Sequence, residues 1–369
     1  MTNINDYDTM DEIMRKILEE YNMIDNHKTW AVPEYSKRQI NNAGKTITNP
    51  NASSEEREEA LKILNNWRAA HAYPLQIICD LLRKHIKNAN VVQRLKRLES
   101  ITDKIKRFPD MQLYKMQDLG GCRVIVESIP EVYKAIEQYK TLNTTHNLKY
   151  PKDYIQDPKD SGYRCYHMIY KYHSDKNETY NKNILIEIQF RTKLQHIWAT
   201  AIEMMDLVKK SNLKAGQGDK NISRFFTLVS SLFAIEENTP VCPNTSNDEN
   251  ELLKEINELN QKHHIIDTLN ALSISVNIRN KSGNDEYYVF DMNYKEKYVD
   301  IYGYPKNQFH IANSVCEYLE NKDINHNVVL VSAESIDQLK SAYPNYFADI
   351  RKFISILNKY NSKFTQYLI

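Results

Sequence analysis

Two neighbouring strands are predicted by Ser161-Gly162-Tyr163-Arg164-Cys165-Tyr166-His167 and, twenty residues later, by Glu187-Ile188-Gln189-Phe190-Arg191-Thr192. Side chains alternate between the two faces of a strand. In the second strand this places Ile184, Ile186, Ile188 and Phe190 on one face and Leu185, Glu187, Gln189 and Arg191 on the other. In the first it groups Tyr163, Cys165 and His167. One face is therefore core, and the other offers a polar surface to a charged ligand.

Composition limits the classes of protein that need to be considered. The chain has 369 residues, 41% of them hydrophobic, and its mean hydropathy is -0.64. Because one core stops growing at about 250–300 residues, two or three domains are expected. The sequence contains no apolar run of about 18 residues, and its first residues show no secretory signal pattern. We therefore expect a cytoplasmic protein with no membrane partner.

Cysteine spacing and local charge point away from metal ribbons and toward phosphates. The five cysteines include no C-x-x-C pair, which argues against a zinc ribbon or a disulfide scaffold. The net charge is only +1, yet nine basic residues lie between Leu81 and Arg107, against two acidic ones. They are Arg83, Lys84, Lys87, Arg94, Lys96, Arg97, Lys104, Lys106 and Arg107. This segment is expected to attract a phosphate-rich partner.

The pattern of elements predicts a mixed α/β core between two other segments. The first ninety residues read as helices, one of them capped by Ser53 or Ser54. Further basic helices are predicted over about Leu75–Lys87 and Val91–Arg107. The core elements are then strands at Cys122–Val126, Tyr163–Tyr172 and Ile184–Phe190, a helix at Pro130–Leu142, and a helix capped by Thr192.

A polar, breaker-rich stretch at Glu237–Asn250 indicates a boundary, after which a distinct C-terminal segment begins. Its predicted order is a helix (Glu251–Leu272), strands (Tyr287–Met292 and Tyr298–Tyr302), a helix (Gln308–Leu319), a strand (Asn327–Ser332) and closing helices. This order is that of a small α/β domain.

Two carboxylates are candidates for metal binding. Asp118 precedes a predicted strand and two glycines, and Glu187 lies within a neighbouring strand. Such a pair can hold one Mg²⁺ that also contacts phosphates. The alternative is a turn-forming aspartate and a solvent-facing glutamate.

Several other residues are candidates for nucleotide binding. Tyr163 can stack on a base and Lys159 can reach a phosphate, although an edge-strand tyrosine is the alternative. His167 can hydrogen-bond a phosphate or be structural. Arg94 can stack on a base, while Lys96, Lys104 and Arg107 can hold phosphates, unless they form a solvated helix face.

Taken together, the stretch from Val91 to Lys210 resembles the synthetase domain of the RelA/SpoT family. The resemblance rests on Arg94-Leu95-Lys96 with Ser100 and Lys104, on Asp118-Leu119-Gly120-Gly121-Cys122-Arg123, and on the two stretches quoted first, the former extended back to Lys159. It implies a nucleotidyltransferase-like mixed sheet flanked by helices, of α/β (α+β) class. The expected units are a helical N-terminal extension (1–90), the synthetase domain (91–235) and a C-terminal α/β regulatory domain (251–369).

The resemblance also implies an activity, the transfer of the β,γ-pyrophosphate of ATP to the 3′-hydroxyl of GDP or GTP. Asp118 and Glu187 would bind Mg²⁺, and Glu187 would activate the acceptor hydroxyl. The ATP-binding residues would be Arg94, Lys96, Ser100, Lys104 and Arg123. The acceptor-binding residues would be Tyr163, Lys159, His167, Gln189 and Arg191. Phosphoryl transfer depends on alignment, a metal and positive charge, all of which these residue types supply.

Departures from the longer family members narrow the expectation. The sequence has no His-Asp dipeptide and no C-terminal cysteine cluster, so synthesis without hydrolysis and without a ribosome sensor is predicted. The outline is similar to fused toxin–antitoxin members, in which the tail restrains the enzyme and the acceptor is the 3′ end of tRNA. Tyr343-Pro344-Asn345-Tyr346 resembles tyrosine pairs that plug an ATP site there, or is a turn with buried tyrosines. A non-catalytic nucleotide-binding module and a homo-oligomer remain open alternatives.

Overall fold

The structure is a computed structural model. It describes residues 30–142, 144–209, 213, 218–270, 275–279, 285–293, 296, 298–322, 326–333, 336–342 and 350–367. Tyr343 and Tyr346, predicted as a possible plug of an ATP site, lie outside the described residues.

In the part of the chain that the structure describes, three helices precede the sheet: α1 (Lys37–Thr48), α2 (Ser54–Ala69) and α3 (Ala72–His85). The predicted cap of α2 is confirmed. Ser53 Oγ accepts from the backbone N–H of Glu56, whose carboxylate accepts in return from the N–H of Ser53. This reciprocal pair satisfies donors that the first helical turn would otherwise leave unbonded.

The described strands form one ten-stranded sheet. They are β1 (Asn90–Leu95), β2 (Gly120–Val126), β3 (Asn147–Leu148), β4 (Lys152–Asp153), β5 (Tyr166–Lys171), β6 (Leu185–Thr192), β7 (Ser275–Arg279), β8 (Asp285–Asn293), β9 (Tyr298–Pro305) and β10 (His326–Ser332). Their order is β3-β5-β6-β2-β1-β10-β8-β9-β7, with β4 also paired to β5. β2 and β6 run parallel, as do β7 and β9, so the sheet is mixed as predicted.

Further helices follow within the described residues, and several of them flank this sheet. They are α4 (Leu98–Arg107), α5 (Ile129–Lys140), α6 (Lys193–Lys209), α7 (Lys220–Glu236), α8 (Glu249–His263), α9 (Ile265–Asn270), α10 (Phe309–Lys322), α11 (Ile336–Ala342) and α12 (Arg351–Tyr367). Thr192 caps α6 as predicted, since Thr192 Oγ1 accepts from the N–H of Gln195 at 3.1 Å. The single helix predicted over Glu251–Leu272 is instead two, α8 and α9, separated by His264 in a left-handed conformation (φ 51°).

One predicted helix, Val91–Arg107, is wrong over about its first two turns. Residues 91–95 belong to strand β1, and the helix begins only at Leu98. Val91 and Leu95 face the large core that contains α2 and α3, whereas Val92 faces a second core. Both faces of β1 are therefore covered, and a strand covered on both faces lacks the simple apolar–polar alternation of a half-exposed strand.

The sheet crosses the predicted boundary before residue 251. β10 pairs antiparallel with β1, joining Gln93 to Ser332 and Arg94 to Val331. The largest hydrophobic cluster likewise includes Trp67 from α2 together with Tyr287 and Leu330. The division into units 1–90, 91–235 and 251–369 stays a prediction. Within the described residues, the units 1–90 and 251–369 both pack on the strands of the unit 91–235.

Within the described part of the chain, no helix is both long and apolar enough to cross a membrane.

Candidate active site

Five of the predicted residues form a closed ring of side-chain contacts on β5, β6 and the loop before β5. Glu187 Oε1 lies 3.0 Å from His167 Nδ1, and His167 Nε2 lies 2.8 Å from Tyr163 Oη. Arg191 Nη2 donates to Tyr163 Oη at 3.3 Å and also to Gln189 Oε1. Gln189 Nε2 closes the ring by donating to Glu187 Oε2 at 2.7 Å. The sequence alternation therefore identified one connected cluster.

Sheet register explains why these side chains meet. β5 and β6 pair antiparallel with His167 opposite Gln189, so residues at alternate positions of both strands face the same side. The predicted apolar partners Ile186, Ile188 and Phe190 are fully buried on the opposite face. Tyr163 lies before β5. The strand was predicted to begin at Tyr163, but it begins at Tyr166.

Two members of the ring, His167 and Glu187, carry opposite charges. Burial lowers the pKa of His167, but Tyr163, Cys165 and the hydrogen bond to Glu187 outweigh burial and raise it to about 12. Burial raises the pKa of the Glu187 carboxyl, yet the hydrogen bond and charge of His167 hold it below its usual value. A charged imidazolium donating to an ionised carboxylate is thus the neutral-pH state.

The Tyr163 ring is covered in this state. Only 5% of the residue's surface is exposed, and burial is the main cause that raises the pKa of Tyr163 to about 12. The Lys159 ammonium lies 5.2 Å from the Tyr163 ring centroid and 4.4 Å from that of Tyr154. Lys159 and Tyr163 are therefore together as predicted, and a base can stack on this ring only after the ammonium moves.

Helix α7 holds the loop that carries Tyr163. Gly162 has φ 86°, a conformation that side chains disfavour, and a Cβ there would come within 2.9 Å of Trp198. Ser230 on α7 donates to the Gly162 carbonyl at 2.6 Å and accepts from Arg164 Nε at 3.0 Å. Sequence reasoning did not assign Arg164 or Ser230 a role, because their partners are distant in the chain.

The second predicted carboxylate is bound by two predicted lysines. Asp118 Oδ2 is 2.9 Å from Lys96 Nζ, and Asp118 Oδ1 is 2.9 Å from Lys104 Nζ. Burial raises the pKa of Asp118, but the two ammonium groups outweigh it and hold that pKa well below its usual range. Burial in turn lowers the pKa of Lys96. The lysines expected to bind phosphates are thus paired with the aspartate expected to bind metal.

The two carboxylates approach each other at the start of β2. Asp118 lies two residues before β2, where Gly121 is in register with Glu187. A Cβ on Gly121 would be 3.8 Å from Glu187 Oε2, so the glycine leaves this edge of the sheet open. The charge of Asp118 acts to raise the pKa of Glu187, which also indicates their proximity.

The other predicted ATP-side residues lie around this pair. Ser100 is half-buried on α4, one turn before Lys104. Arg94 is on β1, opposite Gly121 on one side and Val331 on the other. Arg123 on β2 is largely buried, and its Nη2 lies 3.6 Å from Glu203 Oε1 on α6. Glu203 was not predicted, because only the fold brings α6 beside β2.

The donor set fits a magnesium ion only together with a nucleotide. Among the described residues, no group of three or more histidine, cysteine, aspartate or glutamate side chains is arranged to hold a metal. Asp118 and Glu187 are two ionised carboxylates at one edge of the sheet, and Mg²⁺ is commonly held by one or two carboxylates plus substrate phosphates and water. When bound, the ion would offset the charge that develops on the phosphates.

Comparison with known families places this site in a shared region. Residues 93–210 match the family model described as the region found in RelA / SpoT proteins, and this range includes every predicted site residue. The chain contains a RelA/SpoT domain. Two curated relatives from Bacillus subtilis (strain 168) align with it, both called GTP pyrophosphokinase. YjbM is 28% identical over 125 residues and YwaC 29% identical over 127 residues.

These alignments to the RelA/SpoT domain are partial. Each covers 33% of this chain and 58% or 59% of the relative. Among solved structures, small alarmone synthetase 1 from Bacillus subtilis bound to its product pppGpp is 19% identical with a TM-score of 0.37, covering 50% of this chain and 94% of that one. A GTP pyrophosphokinase family protein from Streptococcus pneumoniae is 26% identical with a TM-score of 0.37, covering 50% and 92%.

Proposed function

We propose that this protein transfers the β,γ-pyrophosphate of ATP to the 3′-hydroxyl of a guanosine nucleotide, GDP or GTP. The observation that carries the proposal is the half-buried Glu187 and Asp118 pair, set between the closed ring on one side and Lys96 and Lys104 on the other. A hydroxyl acceptor and a polyphosphate donor need such a division into a proton-accepting side and a cationic side.

In the proposed step, the acceptor 3′-oxygen attacks the β-phosphorus of ATP. The bond from this phosphorus to the oxygen bridging to the α-phosphate breaks, AMP leaves, and Glu187 accepts the hydroxyl proton. The lowered pKa of Glu187 keeps the carboxylate ionised and able to accept the hydroxyl hydrogen bond. Gln189 and His167 orient it from both oxygens.

The cationic side is proposed to exchange carboxylates for phosphates. Lys96 and Lys104 each contact Asp118, and Arg123 contacts Glu203. ATP phosphates offer these cations stronger acceptors, and Asp118, once freed, becomes a ligand for the proposed Mg²⁺. Lys159 would similarly leave the Tyr163 ring as the acceptor base stacks there.

Transfer of label from γ-labelled ATP to GDP, GTP or bulk tRNA, offered in parallel, tests the proposal. We expect labelled guanosine nucleotide with the unaltered protein and a loss of at least about 100-fold with Glu187→Gln, the range for removing a general base. Glu137→Gln is the matched control, since that carboxylate is exposed and its ion pair within the described residues is with Lys140, a neighbour on the same helix. Nearly full activity of Glu187→Gln contradicts the assignment. Nucleotide binding without turnover in the unaltered protein would favour the binding-module alternative.

A second candidate acceptor is the 3′ end of tRNA, as in a translation-blocking toxin. Its support is a basic segment with exposed side chains: Lys84, Lys87, Lys106 and Arg107 are exposed, and Phe108, next to Arg107, is half exposed. Clustered cations with an exposed aromatic ring suit a single-stranded nucleic acid. Label found in tRNA, with a strong decrease as salt rises, would favour this acceptor.

We also propose that the segment 251–369 regulates the reaction, either by restraining the enzyme or by supporting its ATP side. The supporting observation is its position, because β10 pairs with β1 directly beside Arg94. Any displacement of β10 would change the surroundings of the proposed adenine-binding residue.

A further inference from the structure

A carboxylate from the C-terminal segment reaches the first turn of α4. Glu320, on α10, places Oε1 3.2 Å from the backbone nitrogen of Leu98, the first residue of α4. Arg97 occupies the N-cap position, and its side chain makes no capping hydrogen bond. Since the first N–H groups of a helix have no acceptor within it, and an anion there is favoured by the helix dipole, Glu320 supplies the missing cap.

Arg68 fixes the orientation of this carboxylate. Its Nη1 and Nη2 donate to the two oxygens of Glu320 at 2.9 and 2.7 Å, and both side chains are buried, with 3% and 8% exposed. A two-bond contact between a planar guanidinium and a carboxylate allows little rotation. Helices α2, α4 and α10 are therefore joined at one point.

The capped helix carries part of the ATP side. Ser100 lies two residues after Leu98, and Lys104 one turn later, where it contacts Asp118 at 2.9 Å. Fraying of the first turn would displace Ser100 and loosen the direction of Lys104. A contact 222 residues apart in sequence thus bears on the proposed phosphate-binding groups.

We propose that Glu320 is a positioning residue for ATP, so that the C-terminal segment contributes to nucleotide affinity through the α4 cap. The proposal deepens the function proposed above and rests on it only for the identity of the ligand. It predicts an effect on ATP and none on the acceptor, whose side of the site lies on β5 and β6.

The test is direct binding of a non-hydrolysable ATP analogue and, separately, of GDP to the full chain, measured by calorimetry. Removing Glu320 alone leaves Arg68 buried and unpaired, which threatens folding. The test variant is therefore Arg68→Met with Glu320→Leu, because an apolar pair of similar volume commonly preserves stability while removing the cap. Thermal melting of each variant reports folding.

We expect this double variant to bind the analogue about threefold to tenfold more weakly, as for the loss of one helix cap, with GDP affinity unchanged. Adding Arg97→Ser, which restores a cap from within α4, should recover most of the loss. The matched control is Arg224→Met with Glu255→Leu, which removes another two-bond pair, between α7 and α8, and should leave analogue binding unchanged.

Unchanged analogue affinity in the Arg68→Met, Glu320→Leu variant overturns the positioning role while leaving the proposed function intact. An equal loss for GDP and the analogue, or no recovery with Arg97→Ser, also overturns it by indicating a general structural effect. Absence of analogue binding by the unaltered protein would overturn both proposals.

Discussion

Two ionised groups in the ring, His167 and Glu187, contribute to stability with opposite dependences on pH. His167 has its pKa raised above the ordinary 6.5 to about 12, so its stabilising contribution is complete below pH 6.5 and declines as pH rises toward the folded value. Glu187 has its pKa lowered from 4.5, so its contribution is complete above pH 4.5 and declines as pH falls through the folded value. Their contact is therefore worth most between these two ordinary values.

His167→Gln should lower the free energy of unfolding by about 1.5 to 3 kcal/mol at about pH 5.5, the range for a hydrogen bond to a charged group. The difference from the unaltered protein should shrink at about pH 9, because the unfolded histidine has lost its proton there. Urea unfolding at both pH values measures it. His173→Gln is the control, since its contact with Asp175 is largely exposed and should matter little at either pH. A difference that grew with pH would contradict the ion pair.

Metal binding should depend on nucleotide. Both oxygens of Asp118 contact lysines, and both oxygens of Glu187 contact His167 or Gln189, so without nucleotide a metal ion has to compete with these partners for the carboxylates. Electron paramagnetic resonance of Mn²⁺, used as a probe for Mg²⁺, should show no protein-bound ion until an ATP analogue is added. Asp118→Asn should weaken the ternary complex. Binding of Mn²⁺ by the protein alone would show that the lysines do not compete.

At this residue scale the sequence was informative where alternation was local. Glu187, Gln189 and Arg191 were correctly grouped because a strand repeats every two residues. Asp118 was predicted to bind metal, and Lys96 and Lys104 to bind phosphates. Their pairing with one another was not predicted. Opposite charges that the fold brings to one place pair with each other.

Among the elements, the loop before β5 depends on one glycine for two separate reasons. Gly162 has φ 86°, and an added Cβ would lie 2.9 Å from Trp198 and 3.0 Å from Ser230. Gly162→Ala and Gly162→Asn should both lower the free energy of unfolding by about 2 to 3 kcal/mol, because asparagine tolerates the backbone angle but not the contact.

Urea midpoints measure this effect, with Gly121→Ala as the control for stability. A Cβ at Gly121 would meet its nearest atoms at 3.8 Å, an ordinary contact, so the change should stay below about 1 kcal/mol. If Gly162→Asn were as stable as the unaltered protein, the backbone angle alone would account for the glycine. Loss of GDP affinity in the Gly162 variants would follow from displacement of Tyr163.

The prediction of secondary structure failed where a run of basic residues suggested a helix. The basic residues from Arg94 to Arg107 suggested one long helix, but Val91 and Val92 lie in a strand whose two faces contact different cores. The helix start at Leu98 was also hidden, because its cap comes from Glu320 and not from a neighbouring serine or aspartate. Distant partners of this kind leave no local signal in a sequence.

For the whole molecule, the continuous sheet predicts a single unfolding transition. β1 is bonded to β2 on one side and β10 on the other, and the largest core contains residues from all three predicted units. Hydrogen exchange should therefore give the same opening free energy for β2 and β8. Unfolding in denaturant, followed by circular dichroism, should show one transition. Two separate transitions would instead support a C-terminal unit that folds by itself. Sequence breakers at Glu237–Asn250 mark a real gap between α7 and α8, but they carry no information on strand pairing across it.

The position of β1 also bears on when the protein becomes competent during its synthesis. This strand leaves the ribosome before its second neighbour, β10, which follows more than two hundred residues later in the chain. Until β10 emerges, a nascent chain presents β1 as an open edge, with Arg94 lacking one flank and α4 lacking its Glu320 cap. Synthesis through β10 is thereby a requirement for completing the proposed ATP side, and a chain interrupted before β10 would carry Asp118 and Glu187 without it.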